Sequence, residues 1–311
     1  MTGRVALVGL GEVGRTLAED LRARGVTDVA AWDVAFDDPA SRASRNAADL
    51  GLAASSSVAE AVGEAALVVC AVTAARSVDA ARSAAPHLAP GAWFVDVNSS
   101  SPAHKTAAAA VVDGAGGRYV EAALMSPIGP RRITSPFLLG GPHAAAFADE
   151  APGWGFTGAS VSSERVGRAA ATKLCRSVLV KGLEALFTES LLAARQYGVE
   201  EDVLASLPNI LPPGDWEQLA GYFVSRSVEH GVRRAEEMEE AAATVEDTGV
   251  TPWMSRAAVE RQRWAAQFRD VLPAAGGTTG LVDALLDAAG LGAPGSALPG
   301  ADTTEGTGVR A

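Results

Sequence analysis

The chain has only two cysteines, Cys70 in an apolar run and Cys175 further on, with no C-x-x-C spacing and no histidine cluster beside either. That absence excludes a thiol-based metal or redox motif, so both read as buried thiols and no metal site is expected. A basic excess is also missing. Lys plus Arg number 26 against 37 Asp plus Glu, a net charge of −11, which argues against nucleic acid or an anionic membrane surface as the principal partner. A small anionic substrate stays compatible, because local cations can override the global field. No apolar run is long and uninterrupted enough to span a bilayer. Met1 leads within a few residues into a strand pattern instead of a secretory leader, so a cytoplasmic location is expected. No repeat of fixed period is evident, which sets aside solenoids and propellers.

What is present suits a soluble globular chain of two domains or one large one: 311 residues, 48% hydrophobic and 20% charged. Arg4–Leu10 is a short β-branched apolar run that feeds into Gly9-Leu10-Gly11-Glu12-Val13-Gly14, after which Thr16–Ala23 has helical spacing. Strand, glycine turn and helix in this order form a phosphate-binding fingerprint. Gly9 permits the tight turn, Gly11 lets the backbone approach a pyrophosphate, and Gly14 lets the helix pack close to the strand. The next strand, Val29–Trp32, ends at Asp33, nineteen residues after Gly14. A carboxylate there can hydrogen-bond a ribose 2′-hydroxyl and would repel a 2′-phosphate, which favours NAD over NADP. Asp33 has an ordinary alternative as a turn or helix-cap carboxylate.

Three more segments extend the sheet. Ala65–Val72 is continuously apolar, as a strand buried on both faces requires, and delivers Val72 and Thr73 to the carboxyl edge. Ala92–Val97 does the same for Asn98-Ser99-Ser100-Ser101-Pro102. Those polar residues either face the ligand crevice or cap the helix that follows, Ala103–Val112. Arg118–Leu124 and Pro136–Gly140 read as further strands, joined by a Pro- and Gly-rich link in which Arg131 and Arg132 either reach an anionic ligand or, the favoured reading, are solvated.

Val166–Tyr197 is a long proline-free run, apolar around most of its circumference, and is expected to be a buried helix. Lys173, Ser177 and Lys181 recur at four-residue intervals and so stack on one stripe of it. Buried ammonium groups are costly unless paired or used; by periodicity alone Lys173 either does chemistry or pairs with a glutamate. The rest of the chain is helical: Glu200–Leu207, Asp215–Glu246, Thr251–Val271 and Leu281–Ala289, punctuated by prolines and Gly249. His230 and Arg234 stand in a charged stretch that reads mainly as a salt-bridged face. The expected architecture is α/β: a Rossmann-type doubly wound sheet over residues 1–165, an all-helical domain over 166–291 entered through the long helix, and a disordered tail over 292–311.

The glycine turn, DVNSSSP, YVEAALMSP and the lysine-bearing helix together resemble the β-hydroxyacid dehydrogenase superfamily, which includes 3-hydroxyisobutyrate and 6-phosphogluconate dehydrogenases. The segments KLCRSVLVKGLEAL and HGVRRAEEMEEAAATVEDTGVTPWM are most similar to a subgroup with a short phosphogluconate-dehydrogenase-like C-terminal domain. The resemblance implies hydride transfer between a nicotinamide dinucleotide and a small anionic hydroxy acid, phosphate- or phosphonate-bearing acids included, with Lys173 as general acid/base. It implies cofactor contacts from the glycine turn, Asp33, Val72, Thr73 and Asn98. Substrate contacts are implied for Ser99, Ser100, Ser126, Ser177, Lys181, His230 and Arg234, together with a homodimer formed through the C-terminal helices. Two departures stand out: Arg176 and Ser177 occupy positions where the family pattern has asparagines, and Met125-Ser126-Pro127 replaces its Ser-Gly-Gly. Two alternatives to the hydroxyacid reading are an NADPH-dependent imine reductase and a nucleotide-sensing protein without turnover.

Overall fold

The computed structural model describes residues 3–209, 214–274 and 276–292. The expected tail therefore lies almost wholly outside the described residues. Seven strands form one sheet: β1 (Arg4–Val8), β2 (Val29–Trp32), β3 (Ala65–Cys70), β4 (Trp93–Asp96), β5 (Arg118–Leu124), β6 (Phe137–Gly140) and β7 (Ala159–Ser163). Their order is β2-β1-β3-β4-β5-β6-β7, parallel throughout except that β5 and β6 run antiparallel. The intervening helices are α1 (Glu12–Ala23), α2 (Arg42–Leu50), α3 (Val58–Val62), α4 (Ser77–Ala84), α5 (Pro102–Gly114), α6 (Ile128–Arg131) and α7 (Ala144–Trp154).

Strand alternation shows why these runs read as continuously apolar. Val5 and Leu7 pack in one core with Leu17, Leu21 and Phe147, while Ala6 and Val8 pack in another with Ala81, Val112 and Tyr119. Each central strand is thus buried on both faces. The edge strand β7 has no apolar run: ASVSS is small and polar, and its residues are half-buried or exposed. The sequence reading names no strand there, because neither alternation nor hydrophobicity marks one.

Among the described residues five helices follow: α8 (Arg168–Tyr197), α9 (Glu200–Ser206), α10 (Trp216–Glu246), α11 (Trp253–Ala266) and α12 (Gly277–Ala288). The chain divides into two compact units, one formed by residues up to Arg176 with Ala243–Thr251, the other by Ser177–Ala242 with the residues from Pro252 on. The division falls inside α8, after Arg176; Ala169, Ala170 and Leu174, which precede it, are buried. The second unit has its own core, centred on Leu191, Val224, Val228, Leu281, Leu285 and Leu286.

Two expectations about α8 are corrected. The helix is not buried all round: Leu179, Leu183 and Leu186 are 69%, 42% and 49% exposed. They recur at helical spacing on one partly exposed stripe. Cys175 is exposed as well, while Cys70 is buried as expected.

A glycine turn, a clamped loop and the lysine of the long helix

The turn after β1 has the geometry that its glycines suggest. Gly9 adopts φ +97°, and a Cβ on it would lie 2.4 Å from the Ala71 carbonyl oxygen. A Cβ on Gly14 would stand 2.1 Å from the Gly9 carbonyl oxygen, so the helix packs as closely as only glycine allows. Gly11 meets nothing within 4 Å and serves as the N-cap of α1 without a side-chain cap. Open space over uncapped first-turn amides is what a pyrophosphate requires, so these residues fit a dinucleotide. Leu10 is held from both sides: its N–H donates to Asp33 Oδ2 at 2.8 Å, and its carbonyl accepts from Asn46 Nδ2 at 2.8 Å. Asp33 also accepts from Ala35 N at 2.9 Å as the cap of the next turn. Its carboxylate is therefore both the cap of the ordinary reading and a group fixed at the tip of β2 beside the glycine turn. Asn46, buried on α2, escapes the sequence reading because an isolated helical asparagine carries no positional signal.

At the ends of β3 and β4 the Asn98 side chain joins the two strands, its Oδ1 accepting from Val72 N at 2.7 Å and its Nδ2 donating to Cys70 Sγ at 3.3 Å. Burial pushes the Cys70 thiol up to about 12, so it stays protonated. Asp96 organises the loop from beneath. Its Oδ1 accepts from Asn98 N at 2.9 Å and its Oδ2 from the Tyr119 hydroxyl at 2.7 Å. The fully buried Lys105 ammonium lies 2.8 Å from Asp96 Oδ1 and donates to the Asp96 carbonyl at 3.0 Å. The cap reading of the serine loop is realised at Ser101, whose Oγ accepts from His104 N at 3.4 Å at the start of α5, whereas half-buried Ser99 meets a partner described next. Ser100 is fully buried. Thr73 is exposed at the edge of the sheet.

That partner is Lys173, whose Nζ donates to Ser99 Oγ. The contact lies just beyond the carboxyl end of β4, on the edge of the parallel sheet where the glycine turn also stands. Arg176, one turn on, donates from Nη2 to the Met125 carbonyl at 2.7 Å. Ser126 turns its hydroxyl onto the neighbouring Pro127 carbonyl, 3.2 Å away. Arg131 is exposed as expected, but Arg132 is not simply solvated: it reaches Glu19 and Asp20 of α1, each at 2.7 Å. Opposite charges on the packed helix draw it back.

In the second unit Lys181, which Ser177 contacts, and Arg234 meet buried or nearly buried carboxylates, while His230 is only half-buried. Lys181 Nζ lies 2.9 Å from Glu237 Oε2 and donates to Ser177 Oγ at 2.9 Å. Arg234 faces Glu184 at 2.8 Å, and Gln262 Nε2 donates to the Lys181 carbonyl at 3.2 Å. Burial pushes the Glu184 carboxyl up to about 7 despite the opposing pull of Arg234. His230 stands 3.3 Å from Glu229, and burial, followed by Arg226, holds its imidazole below the ordinary value. Glu237 is hidden in the charged stretch that reads as a salt-bridged face, while Glu184 on α8 and Gln262 on α11 carry no positional signal in the sequence.

Sheet order, glycine turn and following helices define a nicotinamide-dinucleotide-binding protein with a helical C-terminal unit. Residues 4–143 match the NAD binding domain of 6-phosphogluconate dehydrogenase, and residues 194–265 match a domain of unknown function, DUF1932. A conserved hypothetical protein from Sinorhizobium meliloti 1021 is 36% identical over 92% of this chain and 97% of that one, with a TM-score of 0.73. A second conserved protein, described as structurally similar to 3-hydroxyacid dehydrogenases, is 29% identical over 85% of this chain and 98% of that one, with a TM-score of 0.66. Mycobacterium tuberculosis 3-hydroxyisobutyrate dehydrogenase shares the fold, at 20% identity over 91% of this chain and 98% of that one and a TM-score of 0.70. Comparison with curated proteins gives no match. The chain belongs to the β-hydroxyacid dehydrogenase superfamily, as its motifs implied. Among the described residues, no helix is long and apolar enough to cross a membrane.

Proposed function

We propose that this chain transfers a hydride between a nicotinamide dinucleotide and a small anionic hydroxy acid, with Lys173 as the general acid/base. The observation that carries the reading is the hydrogen bond from Lys173 Nζ to Ser99 Oγ, which puts an amine on the ligand-binding edge of the sheet. When bound, the dinucleotide accepts or supplies the hydride. In the oxidative direction neutral Lys173 takes the proton of the substrate hydroxyl; in the reductive direction its ammonium returns it. Ser99 orients the amine, and Asn98 keeps the loop that carries Ser99 bound to the end of β3.

Asp33 supports NAD over NADP, since its carboxylate is fixed beside the glycine turn where a 2′-phosphate would meet like charge. In the sheet unit Ser99 and Ser126 are the proposed substrate contacts. In the helical unit Ser177, Lys181, His230 and Arg234 are the candidates for an anionic group. Lys181 and Arg234 already face Glu237 and Glu184, so an anion there competes with a carboxylate. The partly exposed stripe of Leu179, Leu183 and Leu186 supports a homodimer formed through the C-terminal helices, which sedimentation of the full chain would register as twice the monomer mass.

The test is titration with NAD(H) and NADP(H), followed by a screen of hydroxy acids for NADH production. Lys173→Met is expected to lower kcat about 100- to 10,000-fold with dinucleotide affinity retained. Near-normal kcat overturns the assignment of Lys173. Amine formation dependent on NADPH would instead mark an imine reductase, and tight nucleotide binding without turnover on any substrate a sensor.

A further inference from the structure

Glu121 lies in the middle of the sheet, in parallel register with Asp96 on the neighbouring strand, and both carboxylates are buried. An unpaired carboxylate in such a place is strongly disfavoured. What compensates Glu121 is the start of α8: Gly167 N donates to its Oε2 at 2.7 Å, and Ala170 N donates to its Oε1. A side chain from β5 thus does what an N-cap residue does within its own helix, binding first-turn amides at the positive end of the helix dipole. The surroundings are cut to fit it. On β6, the position opposite Glu121 is Gly140, where a Cβ would lie 2.5 Å from Glu121 Oε2. Gly167 itself holds φ +93°, and a Cβ there would lie 3.1 Å from Pro102 at the start of α5. Burial pushes the Glu121 carboxyl up, opposed by Lys105 and then by the two amides.

The consequence falls on Lys173, which follows Gly167 by about 9 Å of helix at 1.5 Å per residue. Its partner Ser99 is fixed from the other carboxylate, since Asp96 accepts from Asn98 N and pairs with Lys105. Two adjacent buried acids therefore anchor the two sides of one contact, Asp96 the loop and Glu121 the helix. We propose that Glu121 is a positioning residue that holds the Lys173 amine against Ser99 by binding the first-turn amides of α8; its effect on turnover rests on the reading of Lys173 as the acid/base.

The experiment compares the full-length wild type with Glu121→Gln, which keeps the volume but offers one acceptor to two amides. The first readout is independent of turnover: the rate at which acetic anhydride modifies Lys173, followed by peptide mass spectrometry, with Lys181 as the internal reference. Lys173 labelling is expected to change at least about threefold relative to Lys181, as a displaced amine leaves Ser99. The second readout is kinetic: kcat is expected to fall about 100-fold with KM and dinucleotide affinity within about twofold, and Glu121→Asp to recover part of the loss. Should Glu121→Gln fail to fold, Gly140→Ala presses a methyl group on the same carboxylate and is read in the same two ways. Unchanged labelling and kcat alongside a lowered melting temperature would overturn the proposal and leave Glu121 a cap for stability alone. If Lys173→Met turns over normally, the acid/base reading fails, while the labelling comparison still decides whether Glu121 holds Lys173.

Discussion

Lys105→Met isolates the energetic weight of the ion pair beneath the serine loop. The Lys105 side chain is 0% exposed and its ammonium lies 2.8 Å from Asp96 Oδ1, so the pair is sealed from water. Methionine keeps the apolar stem and removes only the charge and its donors. Asp96 would retain the Asn98 amide and the Tyr119 hydroxyl, 2.9 and 2.7 Å away, but no cation. A buried carboxylate left without its counter-charge destabilises a protein by about 3–5 kcal/mol. At a urea dependence of about 3 kcal/mol per M, the unfolding midpoint of the sheet unit should fall by roughly 1–1.7 M. Hydrogen exchange of the β4 and β5 amides in urea would follow that unit apart from the helical one. The double variant Lys105→Met with Asp96→Asn removes both charges, keeps an acceptor for the Asn98 amide, and should be more stable than the single variant. A midpoint shift under about 0.3 M, or a double variant weaker than the single, would refute the claim that the pair matters through charge.

The glycine turn makes a paired prediction. Gly14→Ala places a methyl group 2.1 Å from a carbonyl oxygen and should weaken dinucleotide binding more than tenfold while destabilising the fold by about 1–3 kcal/mol; Gly11→Ala meets nothing and should leave the melting temperature unchanged while still weakening the dinucleotide, as calorimetric titration and thermal unfolding would measure. Glu184 predicts a pH dependence. Its carboxyl is raised from 4.5 to about 7 in the folded chain, so its contribution to stability is fully present below about pH 4.5 and is lost as pH rises through about 7. The gap corresponds to about 3 kcal/mol, and denaturation of wild type and Glu184→Gln at pH 4 and 8 should show the wild type losing that much more between the two.

The sheet was legible because its central strands are buried on both faces, and the glycine turn because φ +97° at Gly9 and the 2.1 Å approach at Gly14 admit no other residue. What the sequence concealed was mostly buried charge. Lys105 lies on an alanine-rich helix where a lysine reads as solvated, and only the folded chain sets it over Asp96. Glu121 sits in a strand, and its partners are amides forty-six and forty-nine residues away, beyond any local pattern. Cys175 and the outward leucines of α8 misled for the opposite reason. Apolar composition all round a helix predicts burial, but burial depends on how many layers pack against it, and Leu179 stays 69% exposed.

The two departures from the family pattern, one on α8 and one in the loop after β5, bear on substrate choice under the proposed function. Where the family pattern has two asparagines after the lysine, this chain has Arg176, bound to the Met125 carbonyl, and Ser177, bound to Lys181. Both positions are occupied by contacts internal to the protein. Arg176 is tied to the stretch whose Ser-Gly-Gly has become Met125-Ser126-Pro127, so the two departures touch each other and are coupled in structure. A loop with proline in place of a glycine has fewer backbone amides to offer a carboxylate, and the arginine that braces it gives the loop a fixed shape. On the proposed hydroxy-acid reading, recognition of the acid group would rest less on backbone amides and more on side chains such as Ser99 and Ser126. Hydroxy acids that differ at the carboxylate end, phosphonates included, are therefore the analogues that best separate this chain from 3-hydroxyisobutyrate dehydrogenases.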